Sequence, residues 1–183
     1  MFLNGYNATG IKDITDEMGI PKGSFYNHFT SKEEFGLAVL QNYCDNGVTM
    51  HKMRLIEAEG SPLQRLKSHY CYMTDFLLGE RSCKLGCIMG NFSQELGDVN
   101  ENFRAVLDDE FNKCQEIIVQ CLSEAQTAGE IASDMDTHSL GGFILNSWHG
   151  ALVRMKSTGT PRPLEDFKQL VFNQLLKLSL IHI

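Results

Sequence analysis

The sequence lacks the long apolar runs and leader features that mark membrane and secreted proteins. No window of its 183 residues approaches the ~18 consecutive apolar residues of a membrane-spanning helix. Residues 1–6 carry no basic segment, apolar stretch or small-residue cleavage site. The six cysteines are irregularly spaced, so we expect reduced thiols and no disulfide framework. These absences predict a cytoplasmic protein with no membrane partner.

Motifs of common enzyme classes are also missing. There is no glycine-rich phosphate-binding loop and no Gly-x-Ser-x-Gly element. Cys83 and Cys87 form a Cys-x-x-x-Cys pair, whereas redox pairs are spaced Cys-x-x-Cys, and no histidine lies between them. Neither these thiols nor His69 and His149 have the recurring spacing of a zinc site. The sequence therefore predicts a protein that is not an enzyme and that uses no metal or cofactor.

The charge distribution is uneven. The net charge of -7 does not favour nucleic-acid binding when it is averaged over the chain. Between Gly19 and Lys32, however, there is no acidic residue, while Lys22, His28 and Lys32 are cationic or can become so. This segment is a local positive region in an acidic protein.

Apolar residues recur at helical spacing along most of the chain, and no long run alternates as a strand does. The clearest apolar stripes lie within residues 63–77, 103–128, 140–155 and 164–178. A further helix over residues 31–58 would connect two domains, and the glycine-containing segment 79–90 is predicted to be irregular. The fold class is therefore predicted to be all-α, with domains at residues 1–45 and 46–183.

Residues 9–32 have the pattern of a helix-turn-helix. A short amphipathic helix carries Ile11, Ile14 and Met18, and a glycine-containing turn follows it. A second short helix then places Phe25 and Phe29 on one face. Two helices of this size cannot bury their own apolar faces, so they need further helices to pack against.

The same segment resembles the helix-turn-helix of TetR-family transcriptional regulators. The resemblance rests on Gly-Tyr-x-Ala-Thr at residues 5–9, Lys-Gly-Ser-Phe-Tyr-Asn-His-Phe at 22–29 and Ser-Lys-Glu-Glu-Phe at 31–35, and it covers residues 4–40. It implies an N-terminal helix-turn-helix domain, a C-terminal helical domain that dimerises and binds an effector, and repression of transcription at a palindromic operator in double-stranded DNA.

The resemblance also implies which residues contact DNA. The recognition helix would run from Lys22 to Phe29 and enter the major groove. Lys22, Ser24 and Asn27 would read base edges, and Gly23 would permit close approach of the backbone. The residues expected at phosphate oxygens are Thr9, Tyr26, His28 and Lys32.

The start of the chain departs from the family pattern. Members of the family usually have a full first helix before the Gly-Tyr pair, often with a basic arm, whereas this sequence begins with Met1-Phe2-Leu3. We expect either that the start has been misassigned or that the chain is a truncated product with impaired DNA binding.

The C-terminal half contains the expected effector and dimer residues. Cys83 to Phe92 is similar to a Gly-Cys-x-x-Gly-Asn element in a subset of the family, some of whose members respond to electrophiles or oxidants. A thiol beside a helix N-terminus and Lys84 could react as a thiolate. The candidate effector-binding and redox-sensing residues are Cys83, Cys87, Tyr70, Met73, Met89, Phe92 and Trp148. The family fold implies a homodimer through residues 138–178.

Two other functions fit parts of this pattern. One is a dimeric ligand-binding protein of the same fold that has lost DNA binding. The other is a helical redox enzyme that uses Cys83 and Cys87. Each of the cysteines, aromatics and methionines singled out above also has a simpler interpretation as a buried core residue.

Overall fold

The computed structural model describes residues 1, 3–79 and 82–176, and these residues contain helices but no strand. The helices are α1 (Ile11–Glu17), α2 (Lys22–Tyr26), α3 (Lys32–Leu55), α4 (Pro62–Gly79), α5 (Ile88–Leu96), α6 (Glu101–Thr127), α7 (Thr137–Thr158) and α8 (Arg162–Leu170). A π-helical segment, Val171–Leu175, continues from α8. The predicted all-α class is confirmed. Leu178, the last residue of the fourth predicted stripe, lies outside the described residues.

The chain forms two compact units. The first unit comprises Met1–Asn46 and Cys87–Glu110, and the second comprises Gly47–Gly86 and Phe111–Ile183. The first segment ends beside the domain boundary predicted at residue 45, and the helix-turn-helix shares its unit with α5 and the start of α6. Because residues 87–110 are distant in sequence, periodicity alone could not assign them to this unit.

Aromatic side chains form much of the core of the first unit. Tyr6 packs edge-on against Phe92 and Phe103, with ring centroids 5.8 and 5.2 Å away. Phe25 and Phe29 pack against Phe35 at the start of α3. These clusters provide the apolar partners that the two short helices need.

The core of the second unit is built around Tyr70 on α4. Its ring is 1% exposed and lies 5.1 Å from Trp148 and 5.0 Å from Phe167. The helices α7 and α8 pack together, and α8 also packs on α4. Burial of these large rings contributes to the apolar core that holds the unit together.

Helix boundaries follow local chemistry. Pro62 opens α4 after Ser61, and Gly159 ends α7 at φ 65°. The connecting helix is shorter than the predicted 31–58, since α3 begins at Lys32 and ends at Leu55. The predicted irregular segment 79–90 is also too long, because α4 extends to Gly79 and α5 begins at Ile88.

Candidate nucleic-acid interface and effector residues

The turn between α1 and α2 is fixed by Gly19. This residue has φ +65°, a left-handed conformation that residues with a side chain rarely adopt. The amide of Ile20 donates to the carbonyl of Thr15 at 3.0 Å, and that of Gly19 donates to Asp16 at 3.2 Å. These two bonds form a Schellman motif, which ends α1 and directs the chain into α2.

The recognition helix is shorter than predicted. Instead of reaching Phe29, α2 ends at Tyr26, and the amide of His28 donates to the carbonyl of Phe25 at 3.0 Å. Phe29 packs on both Phe25 and Phe35, with ring centroids 5.6 and 5.0 Å apart. The chain turns after Tyr26 because Phe29 must return to the core, so Asn27 and His28 belong to a turn.

Most of the predicted DNA-contacting residues lie on the protein surface. The Tyr26 side chain is 48% exposed. Lys22, Gly23, Asn27 and His28 are also exposed, and Ser24 is partly buried. A Cβ at Gly23 would meet nothing within 4 Å, so the backbone there is open to a partner.

Lys32 and Thr9, the other two predicted phosphate contacts, lie outside α2. The Lys32 ammonium lies 4.3 Å from the centroid of the Tyr6 ring and 3.5 Å from the carbonyl oxygen of Asn7. Thr9 is 6% exposed, and its hydroxyl donates to the carbonyl of Gly5 at 2.7 Å. The threonine therefore has a local structural role, and its contact with phosphate stays a prediction.

Glu95 is an important residue that the sequence did not indicate. Its carboxylate accepts hydrogen bonds from the amides of Tyr6 at 3.2 Å and Asn7 at 2.9 Å. Burial, together with the charge of Glu33, raises the pKa of the Tyr6 phenol. Glu95 and Tyr6 are 89 positions apart, and no local pattern links them. A helix outside the predicted motif thus holds the segment that precedes α1.

The predicted effector residues are divided between the two units. Cys87, Met89 and Phe92 belong to the first unit, where Met89 and Phe92 are buried. The second unit contains the remaining members, which are Cys83, Tyr70, Met73 and Trp148. Burial strongly raises the pKa of the Tyr70 phenol. Tyr70 and Trp148 are in contact, as are Phe92 and Tyr6.

The two candidate sensing thiols have different surroundings. Cys87 is the residue before α5, is partly buried, and has its sulfur 3.6 Å from the hydroxyl of Tyr43. Cys83 has φ +61°, next to Ser82 at φ 47°, so its backbone is in a conformation that is rare for residues with a side chain. Both cysteines are free thiols.

Over the ranges given above, no three or more His, Cys, Asp or Glu side chains are arranged to hold a metal ion. None of the helices described is both long and apolar enough to cross a membrane.

Comparison with known proteins gives consistent matches across the chain. The family model for bacterial regulatory proteins of the tetR family matches residues 1–39, and that for the tetracyclin repressor-like C-terminal domain matches residues 62–171. The HTH-type transcriptional repressor DhaR of Mycobacterium sp. (strain GP1) is 36% identical over 94% of this chain and 84% of its own length. The transcriptional regulator AcuR of Cereibacter sphaeroides is 32% identical over 89% of this chain and 74% of its own.

A solved structure supports the same assignment. The crystal structure of regulatory protein TetR from Rhodobacter sphaeroides aligns with a TM-score of 0.85 at 30% identity, over 92% of this chain and 88% of that one. The two family models match the helix-turn-helix and the helical C-terminal region separately, and the relatives span both. The chain therefore belongs to the TetR family of DNA-binding transcriptional regulators.

Proposed function

We propose that this regulator binds a palindromic operator as a homodimer, represses transcription there, and is released by a small-molecule or thiol-reactive effector. The observation that carries the proposal is the exposed surface formed by Lys22, Gly23, Tyr26, Asn27 and His28. The relative DhaR is named as a transcriptional repressor, and we propose that this protein also represses transcription. No catalytic step is part of the proposal.

The proposed DNA contacts follow from this surface. Lys22 and Asn27 extend from the ends of α2 and have the donors and acceptors that base edges recognise. Gly23, with open space around it, lets the backbone approach the groove. Tyr26, His28 and Lys32 would donate to phosphates and set the register of the protein on DNA.

The proposed dimer surface lies on α7 and α8. Phe143 and Val153 are 55% and 44% exposed, and Leu170 on α8 is 55% exposed. Phe143, Gly150 and Val153 share one stripe of α7 because they are spaced by seven and three residues. A stripe of exposed apolar and small residues is what a symmetric helical interface requires. The remainder of the predicted interface, residues 177 and 178, lies outside the described residues.

The dimer is tested by sedimentation of the Phe143→Glu variant. A charge inside a symmetric interface faces its own copy, so we expect dissociation to monomers. Asn112→Glu adds the same charge at an exposed position of α6 and should leave the dimer intact. An unchanged dimer in the Phe143→Glu variant would exclude this surface.

The proposed thiol response centres on Cys87. Its position immediately before α5 puts the sulfur near the helix N-terminus, where a thiolate is stabilised by the helix dipole. The Tyr43 hydroxyl, 3.6 Å from the sulfur, can donate to that thiolate. Cys83 is the alternative reactive residue.

The overall proposal is tested by fluorescence anisotropy with DNA that flanks the gene. Sequence-selective binding that weakens steeply with salt, and that is lost on adding an electrophile, supports an effector-released repressor. The Cys87→Ser and Cys83→Ser variants identify the responding thiol. Absence of selective binding even at low salt would favour a ligand-binding protein of this fold without DNA binding.

A further inference from the structure

Three histidines from different helices meet in the second unit. His51 lies on α3, His69 on α4 and His149 on α7. The rings of His51 and His69 have centroids 4.6 Å apart. His149 packs edge-on against Phe111, 4.9 Å away, and its pKa is lowered by burial and, to a smaller extent, by the charge of His51.

The hydrogen bonding of two of these rings, His51 and His69, is incomplete. His69 is 1% exposed, and neither of its ring nitrogens has a hydrogen-bond partner among the described residues. Nδ1 of His51 is also buried without a partner. Buried polar atoms are nearly always paired, so these nitrogens are able to bind a further molecule.

The charges around the cluster indicate what that molecule is. The groups that act electrostatically on His69 are Arg54 and, when it is protonated, His51, and the group that acts on His149 is protonated His51. Tyr70, which follows His69 on α4, contributes an aromatic ring 5.3 Å away. No carboxylate is among the charges that shift the pKa values of these three described histidines.

We propose that His51, His69 and His149 form the effector site of this regulator, and that the effector is a small organic carboxylate bound together with one proton. This inference rests on the proposed function and adds the chemical class of the ligand. A metal is not the occupant we infer, because no set of three ligands among the described residues is arranged for one.

The proton follows from the chemistry of imidazole. Burial lowers the pKa of His51 to about 4 and that of His69 well below its ordinary value, so both rings are neutral near pH 7. A neutral ring has one donor and one acceptor nitrogen, and only the donor can bind a carboxylate. When the carboxylate enters, one ring takes a proton from solvent, and the resulting imidazolium has two donors. The new ion pair is charge-assisted and desolvated, which strengthens it.

The surrounding rings define the rest of the ligand. Tyr70 and Phe111 border the histidines and offer apolar contact but no further charge of their own. The ligand would therefore combine one carboxylate with a short apolar chain.

Calorimetry with sodium propionate, butyrate and hexanoate tests the proposal, with the corresponding alcohols as controls. We expect saturable binding of at least one carboxylate. Titrations in two buffers of different ionisation enthalpy should give uptake of about one proton per site. Binding of alcohols in preference to carboxylates, binding without proton uptake, or no binding in the whole series would overturn the proposal.

Substitutions separate a ligand site from an ordinary core. His69→Leu removes the unpaired nitrogens and should weaken carboxylate binding at least tenfold while the protein stays folded. His69→Gln can donate and accept but cannot be protonated, so residual binding should occur without proton uptake by residue 69. His138→Gln changes a histidine that is 67% exposed on α7, and it should bind as the wild type does. If His69→Leu does not fold, His51→Gln provides the same test.

The DNA-binding assay on the same samples distinguishes this inference from the proposed function. The carboxylate should weaken operator binding by the wild type but not by His69→Leu. Operator binding that persists unchanged with saturating carboxylate would overturn the effector site while leaving a DNA-binding regulator. Carboxylate binding by a protein that shows no selective DNA binding would instead contradict the proposed function.

Discussion

Acid should destabilise this protein in a pH range that its buried histidines define. Burial lowers the pKa of both His51 and His149 to about 4, from an ordinary value of 6.5. Above this ordinary value both folded and unfolded states carry neutral rings, so pH has no effect through them. As the pH falls below it, the unfolded chain binds protons first, and the free energy of unfolding decreases until the folded rings also titrate.

The size of the effect follows from these pKa values. At a pH of about 4.5, each of the two histidines lowers the free energy of unfolding by roughly 2–3 kcal/mol, and both act in the same direction. A typical domain has only ~5–15 kcal/mol of stability in total, so the loss is large. His69 acts in the same direction, because burial lowers its pKa as well. The pKa values of Glu34 and Asp136 are lowered by hydrogen bonds from Thr30 and Ser139, so those carboxylates titrate mainly at lower pH.

Urea unfolding at fixed protein concentration measures this loss. Trp148 is the single tryptophan and lies 5% exposed in the second unit, so its fluorescence reports unfolding there. The urea midpoint should fall steadily between neutral pH and about pH 4.5. In the double variant His51→Gln and His149→Gln, most of that slope should disappear. Equal midpoints for the wild type at both pH values, or an unchanged slope in the double variant, would refute the reasoning.

Three other predictions concern the first unit and its surface. Gly36→Ala should destabilise the protein by about 1–3 kcal/mol in thermal unfolding, because the new Cβ would lie 2.7 Å from Cε2 of Tyr6 and 2.9 Å from Cζ of Phe103. The control Gly47→Ala should not destabilise it, because nothing lies within 4 Å of a Cβ at that position. Glu95→Ala removes both acceptors for the amides of Tyr6 and Asn7, so hydrogen exchange at these amides should accelerate and the free energy of unfolding should fall by ~1–3 kcal/mol. Glu101 is 91% exposed, so the control Glu101→Ala should change neither quantity. Lys32→Gln should reduce the slope of log affinity against log salt by about one per half-site without changing sequence preference, and an unchanged slope would remove Lys32 from the phosphate contacts.

The helix-turn-helix was predictable because its determinants are local. Gly19 supplies the left-handed turn, and Phe25 and Phe29 lie four residues apart on one face. The end of α2 was not predictable in the same way, because it depends on the packing of Phe29 against Phe35 in the next helix. Helical periodicity continues past Tyr26, and tertiary packing overrides it.

The histidine cluster illustrates the other limit of sequence reasoning. His51, His69 and His149 are far apart in the sequence, and each by itself resembles an ordinary helical residue. Their spacing in the sequence does not have the recurring pattern of a zinc site, and no other local pattern links the three residues. Only the packing of the helices reveals that the rings of His51 and His69 are in contact, and that both have buried nitrogens without a partner among the described residues.

The recognition helix depends on residues well beyond its own motif. Tyr6 precedes α1, and its position is fixed by Phe92 and Glu95 of α5 and by Phe103 of α6. Tyr6 in turn lies against Lys32 at the start of α3, next to the turn that carries Asn27 and His28. A substitution in α5 can therefore alter DNA binding without touching DNA, because α5 holds the segment from which α1 and α2 begin. Cys87 is the residue immediately before this helix, so we expect a group attached to its sulfur to act on the same support of the DNA-binding surface.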